Sequence, residues 1–326
     1  MIRKISILLV VLSVIFVFGL LGVFVWWKDA SGSVGSDPNP KRFVVVKGTS
    51  ASQIAENLYK AGLIKSTLAF KFYVQLIGKS DQIKAGQYDI PQNYSLTQVV
   101  ATLMQNPKEV WVTIPEGLRR EEVVRKIIEG LHFPPEEAES FGEEFLALTK
   151  DKEGFLFPDT YLFPIDVKAA TVVNVMENTF KKKVGEVDRK SVILASIIER
   201  ETKTDEERPV VAGILIKRLE AGWPLNVDAT VQYALANENC KLEIENCIDW
   251  WPKITRDDYQ FNSLYNTYKF AGLPPGPISN PGLSSIKAVL APKQSDYWYY
   301  LHAPDGKIYY AKNLKEHNQN IQKYLK

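Results

Sequence analysis

This sequence is poor in the residues that build metal sites. Its 326 residues include three histidines, His132, His302 and His317, far apart along the chain, and two cysteines, Cys240 and Cys247. No HExxH zinc helix and no GxxxxGK phosphate loop occurs, so neither a metal nor a nucleotide cofactor is expected. An excess of one charge is missing too: 40 Lys and Arg face 38 Asp and Glu, a net charge of +2, with the cations scattered among acids. Nucleic-acid binding asks for a clustered basic face, so no such partner is expected.

Charge is wholly absent from one stretch. Ile5 to Trp27 carries only Ser6 and Ser13 as polar side chains, and as a helix it is long enough to cross a hydrocarbon layer of about 30 Å. Arg3 and Lys4 precede it, and Trp26 and Trp27 close it as interface anchors. The positive-inside rule then puts the N-terminus in the cytoplasm and the rest outside the cell inner membrane. The run exceeds a signal-peptide core and no small-x-small cleavage site precedes the tryptophans, so the span is expected to persist as a single-pass anchor. Ala30 to Lys41, rich in Gly, Ser and Pro, reads as a flexible tether. An extracytoplasmic compartment is oxidising, and Cys240 and Cys247 bracket a short polar segment, so a local disulfide between them is expected.

A chain of this length exceeds one ordinary core. From Phe43 a β-rich run, a turn at Gly48 and a helical stripe of Ile54, Leu58 and Leu63 follow one another, and Val110 to Ile114, Gly117, Val123 and Ile127 repeat that order weakly. The common unit is a strand packed by the helix after it, which predicts an α+β class. The segments expected are 1–28 for the cytoplasmic N-terminus and membrane helix, 29–42 for the linker, 43–108 for a small α/β module and 109–326 for the main domain. Tyr297 to His302 and Lys307 to Ala311, either side of Pro304-Asp305-Gly306, predict a β-hairpin. Gly272 to Gly282 is too dense in Gly and Pro for helix or central strand and reads as a stiff wall suited to holding a polymer.

Ser191 to Thr202 is the centre of the chain. Val192 to Ile198 has one polar side chain, Ser196, so this helix is apolar almost all round and must be buried. Two carboxylates close it, Glu199 and Glu201. Residues two apart lie about 200° apart around the axis, so the two cannot share a pocket. Glu199 lines up with Val192, Ala195 and Ser196, a small-residue face able to floor a cleft, whereas Glu201 stacks over Leu194, Ile197 and Ile198. A carboxyl at the end of a buried run loses water, which raises its pKa toward that of a general acid.

Four blocks carry a family likeness: Ala195-Ser-Ile-Ile-Glu199-Arg-Glu201, Glu153-Gly-Phe-Leu-Phe-Pro-Asp-Thr-Tyr161, Tyr265-Asn-Thr-Tyr268 and Gly272-Leu-Pro-Pro-Gly276. In this order, over nearly the whole chain, they resemble the signature blocks of the endolytic murein transglycosylases, the YceG-like family. The resemblance implies a single-pass inner-membrane enzyme with a LysM-like module at 43–108 and a YceG-like mixed α+β catalytic domain at 109–326. It implies peptidoglycan glycan strands as substrate, action near peptidoglycan synthases and their penicillin-binding proteins, and Glu199 as the catalytic acid. The stretch Cys240 to Cys247 matches no family block and reads as a local insertion.

In the chemistry so implied, the acid protonates the oxygen between N-acetylmuramic acid and N-acetylglucosamine. It then accepts the proton of the muramoyl O6 hydroxyl as that oxygen closes on C1, leaving a 1,6-anhydromuramoyl end and terminating strand elongation. Asp228, Thr230, Tyr265 and Asn266 are the candidates for holding the sugar. Two competitors stand beside this reading: a noncatalytic glycan-binding scaffold, and true hydrolysis, which needs a second acid for which Asp159 and Asp228 are candidates.

Overall fold

The computed structural model describes residues 2–46, 48–80, 82–105, 107–240 and 249–325, and of residues 2–11 and 13 the backbone alone. The chain divides into two units, Met1–Trp111 with Leu162–Ile165, and Val112–Tyr161 with Asp166–Lys326. Both are mixed α+β structures, as the strand-then-helix repeat predicts.

The first unit begins with helix α1 (Ile2–Ala30). The expected span, Ile5 to Trp27, lies on α1 and in part outside the described side chains. Among the described residues no helix is long and apolar enough to cross a membrane. Every described side chain from Val14 to Trp26 is exposed, whereas Ala30 is buried. The tether expected after it is held rather than free: the Leu96 amide donates to the Ser31 carbonyl and the Gly35 amide to the Gln92 carbonyl.

Strands β1 (Pro40–Val45) and β2 (Gly86–Pro91) pair antiparallel with Phe43 opposite Tyr88. Alternation along both buries Phe43, Val45, Tyr88 and Ile90. Helices α2 (Ala51–Lys60), α3 (Thr67–Leu76) and α4 (Leu96–Leu103) supply the other half of this core through Leu58, Phe70, Val99 and Leu103. Ser50 with Gln53, and Ser95 with Gln98, close reciprocal capping boxes that start α2 and α4 where the sequence pattern places them. Strands β3 (Glu109–Thr113) and β4 (Thr160–Pro164) complete a four-stranded sheet of order β1-β2-β3-β4 and run on into the second unit. The repeat extends to the backbone: Gly48 and Gly117, which follow β1 and β3, both take left-handed φ, +84° and +77°.

The second unit is helical around α8 (Arg189–Glu201), whose Asp188 cap accepts from the Ser191 amide at 3.0 Å. Val192 to Ile198 are all buried, as an all-round apolar helix requires. Helices α5 (Arg120–Leu131), α6 (Pro135–Leu148) and α7 (Ala169–Val184) precede it. Then come α9 (Glu207–Glu220), α10 (Asp228–Cys240) and α11 (Leu283–Leu290), of which α9 and α11 bring Val211, Leu215, Ile286 and Val289 into the same core. The predicted hairpin is present as β5 (Tyr299–His302) and β6 (Ile308–Ala311), Tyr300 opposite Tyr310, followed by α12 (Leu314–Tyr324).

Of the Gly- and Pro-rich segment expected as a substrate wall, the second half is packed inside the protein. Residues 276–282 are buried, and Asn280 is fully so. Its Oδ1 accepts from the Gly154 and Leu156 amides at 2.9 and 3.0 Å, while its Nδ2 donates to the Leu118 carbonyl and to Glu153 at 3.0 and 2.7 Å. A segment unable to pair as helix or strand must satisfy its neighbours' backbone through side chains, and Asn280 does this for two loops at once.

Candidate active site

Two features fix the surroundings of α8. Ser196, the polar break in its apolar run, donates to the Ile193 carbonyl at 2.7 Å and accepts the Ile278 amide at 3.0 Å, and Ser279 donates to the Ser196 carbonyl. The small-residue face of α8 is therefore where residues 278–279 approach the helix backbone. Glu199, which lines up with that face, points into the same packing. Its Oε2 accepts from the Gly282 amide at 2.9 Å and from the Ser285 hydroxyl at 2.8 Å, and its Oε1 pairs with Arg208 at 3.3 Å. Both side chains of that pair are nearly buried, 7% exposed for Glu199 and 10% for Arg208. The Glu116 carboxyl packs against Gly282 on the same side; burial, then the charge of Glu199, raises its pKa.

Glu201 lies on the opposite side of the helix, as the 200° separation requires, and there the protein is open. A cleft of about 710 Å³ is lined by Glu201, Asn226, Asp228, Tyr259, Tyr268 and Tyr300 among others. Tyr300 of β5 donates its hydroxyl to Glu201 Oε2 at 2.8 Å. Burial strips water from the Glu201 carboxyl and pushes its pKa up to about 7, with Asp228 adding to the rise, and Tyr300, Arg218 and Arg200 working against it. Arg218 itself is buried and held by the Trp298 and Leu225 carbonyls, which fixes the start of the hairpin against the end of α9.

Asp228 opens α10 across the cleft and accepts the Tyr268 hydroxyl at 2.6 Å. Burial first, and then Asp228, hold that hydroxyl well above its ordinary pKa, so Tyr268 stays a donor. Tyr268 stacks on Tyr259 with ring centroids 4.1 Å apart and planes 16° apart, a flat aromatic surface of the kind that pyranose rings lie on. Asn226, two residues before Asp228, has φ +52°, a left-handed backbone that Asn tolerates better than most residues.

Of the residues expected to bind sugar, only Asp228 reaches this cleft. Thr230 is buried and bonds the Val227 carbonyl and the Thr267 hydroxyl at 2.7 and 2.9 Å. Asn266 is also buried: its Nδ2 donates to the Tyr259 and Phe261 carbonyls, and its Oδ1 accepts the Tyr268 amide. These two shape the loop that presents Tyr268 and Tyr259 and do not face the opening. Tyr265 packs instead against Tyr233, 4.8 Å between centroids. Asp159, the other acid considered for hydrolysis, lies away from the cleft in an ion pair with Lys183 at 2.6 Å. Burial alone would raise its carboxyl, but Lys183 and the Thr160 amide together hold it below its usual range. Cys240 ends α10 and is disulfide-bonded, while Cys247 lies outside the described residues.

Glu201, Tyr268 and Tyr300 line this cleft and were not among the residues selected from the sequence. For Glu201 the signal was its alignment with the most apolar flank of α8, which is where desolvation is strongest.

The family model described as "YceG-like family" matches residues 43–323. A protein of Bacillus subtilis named endolytic murein transglycosylase is 29% identical over 338 residues, covering 93% of this chain and 90% of that protein. One of the same name from Streptococcus pneumoniae is 27% identical, covering 89% of this chain, which spans 60% of that longer protein. Among solved structures, a putative YceG-like protein of Listeria monocytogenes superposes with a TM-score of 0.51 at 28% identity, over 87% of this chain and 99% of that one.

Proposed function

Because the chain belongs to the YceG-like family, we propose that it cuts peptidoglycan glycan strands internally with Glu201 as its proton donor. It is an enzyme of the lytic transglycosylase class, a lyase acting on peptidoglycan, as its relatives at 29% and 27% identity are named. The observation that carries the role of Glu201 is its position: a desolvated carboxyl with a pKa of about 7 that lines an open cleft beside Tyr300 and Asp228. Glu199, the acid implied by the family resemblance, has an ion pair and two further donors instead and serves to hold α8 to α11.

Glu201 enters the reaction protonated and gives its proton to the oxygen between N-acetylmuramic acid and N-acetylglucosamine. As the C1–O bond breaks, the muramoyl O6 closes on C1 and its proton passes to the Glu201 carboxylate, which restores the acid and leaves a 1,6-anhydromuramoyl end. The nucleophile belongs to the substrate, so ring closure has an intramolecular advantage and no water is used. The stacked Tyr259 and Tyr268 supply a face for one sugar.

Hydrolysis is a second reading, favoured by the presence of Asp228 in the same cleft as Glu201. There Asp228 would direct a water onto C1. Mass spectrometry of glycan strands digested in labelled water separates the two. The expected product ends in anhydromuramic acid without label; a reducing-end muramic acid carrying the label assigns Asp228 the base role instead. Binding without cleavage would leave the scaffold reading.

The pH dependence follows from the same carboxyl. Cleavage needs Glu201 protonated, so kcat/KM is expected to fall about tenfold per pH unit above a pKa of about 7. Stability follows the same sign. A raised carboxyl contributes stability that is fully present below its unfolded pKa and is lost as pH rises through the folded value, about 7. Thermal melts of Glu201→Gln should therefore lose less between pH 5 and pH 8 than those of the unaltered protein.

Ile5 to Trp27 anchors the chain in the inner membrane with the N-terminus cytoplasmic and both units outside, residues 43–108 act as a LysM-like module, and Cys240 pairs with Cys247. Nascent strands near peptidoglycan synthases and penicillin-binding proteins are the substrate, and cleavage ends their elongation.

A further inference from the structure

Helix α3 carries an apolar stripe that stays largely exposed among the described residues. Its inward face is ordinary core: Ala69, Phe70 and Val74 are buried. Its outward face shows Leu68, Phe72 and Leu76, spaced four apart and so on one line of the helix, at 69%, 56% and 69% exposed. Isolated exposed apolar residues are common on soluble proteins, but three large ones in a row on one short helix mark a contact surface.

The neighbours of this stripe say what it contacts. Trp27, at the end of α1, lies against Phe72 and Tyr73 of α3, each ring pair 6.0 Å apart. Lys65, just before α3, pairs with Asp29 at 3.2 Å, so the end of α1 and the start of α3 are tied at two points. Trp26 beside it is itself 44% exposed. The stripe thus continues the pair of tryptophans that closes the all-apolar helix. From Ile64 to Ser80 the chain has no acidic residue and three lysines, Lys65, Lys71 and Lys79. Neither Lys71 nor Lys79 has a carboxylate partner among the described residues.

We propose that α3 is an interfacial helix, which lays Leu68, Phe72 and Leu76 into the boundary of an anionic lipid layer beside α1. An apolar line flanked by lysines, of which Lys71 and Lys79 lack a carboxylate partner among the described residues, is the pattern of a helix lying in the headgroup region, the lysines meeting lipid phosphates. Its effect is to fix the first unit at the membrane surface, where a single helical anchor alone would leave it free to swing. This inference rests on the anchor reading of α1 given above.

The test uses the full chain with Cys240→Ser and Cys247→Ser, reconstituted in nanodiscs of phosphatidylglycerol and phosphatidylcholine. An environment-sensitive fluorophore is placed in turn at Trp26→Cys, Leu68→Cys and Leu76→Cys. The expected result is a blue shift and quenching by brominated acyl chains at all three, weakened at positions 68 and 76 when the lipid is made neutral. Lipid contact at position 26 with water-like emission at 68 and 76 would overturn the proposal and leave the anchor intact. No lipid contact at any position would overturn the anchor reading and this one with it. A blue shift at 68 and 76 that persists in lipid-free detergent and grows with protein concentration would identify a second copy as the occupant, and would also overturn the proposal.

Discussion

Glu201→Gln is expected to lower turnover of purified glycan strands by at least about a hundredfold, the low end of what a general acid contributes. The amide keeps the shape of the side chain and can still accept from Tyr300, so glycan binding and the melting temperature near pH 5 should be close to unchanged. Glu199 is the control that gives the experiment its meaning. Glu199→Gln keeps acceptors for the Gly282 amide and Ser285 but leaves Arg208 without the nearly buried partner it holds at 3.3 Å. Arg208 keeps its ion pair with Asp205 at 2.6 Å, so the cost should stay below about 3 kcal/mol, that of a buried charge left wholly unpaired. This variant should therefore lose stability while retaining most of its turnover when assayed below its melting range. Release of fragments from labelled strands, with circular dichroism melts of the same preparations, reads both effects. The opposite pattern, activity lost with Glu199 and kept without Glu201, would return the proton to Glu199.

Asn280→Ala is expected to be the most damaging single substitution in the second unit that touches no cleft residue. The side chain bonds two amides, one carbonyl and the Glu153 carboxyl in a place with no exposure. Each buried group left without a partner costs about 1 to 3 kcal/mol, so the loss approaches the whole stability of an ordinary domain, about 5 to 15 kcal/mol. Glu153 sharpens the effect. Burial, then the charge of Glu121, raises its pKa, while Arg119 and the Arg120 amide oppose that rise. Without the Asn280 donor the carboxyl loses one of the groups that satisfy it. Chemical denaturation should give a much lower midpoint for Asn280→Ala, or no folded protein, whereas Ser263→Ala, which loses one bond from the Tyr265 amide, should cost only about 1 kcal/mol.

Much of this architecture is local and could be read from the chain directly. The apolar run of α8, the serine caps of α2 and α4, the strand-turn-helix order and the hairpin around Gly306 depend on residues a few positions apart. Their periodicity or turn chemistry is complete within each segment. The rotation between Glu199 and Glu201 is of this kind too: helix geometry alone requires that they face opposite ways.

Which of the two faces stays open is not a local property. The row of Val192, Ala195 and Ser196 reads equally as the floor of a cleft or as a seat for another backbone, and the choice depends on residues 278–285, more than eighty positions away. These residues take the seat, through the bonds of Ile278 and Ser279 to Ser196 and of Gly282 and Ser285 to Glu199. The hairpin and the Tyr259–Tyr268 loop meanwhile stand around Glu201 and leave it a space. The same reason places Thr230 and Asn266 in hydrogen bonds that support the loop. A polar side chain in the right sequence block faces substrate only if no nearer backbone group claims it, and folding supplied those groups from Val227 for Thr230 and from the loop that runs from Tyr259 to Tyr268 for Asn266. Sequence placed two carboxyls at the end of α8, and long-range packing decided which of them is desolvated beside the open cleft, because desolvation and access are properties of the surroundings and not of the residue.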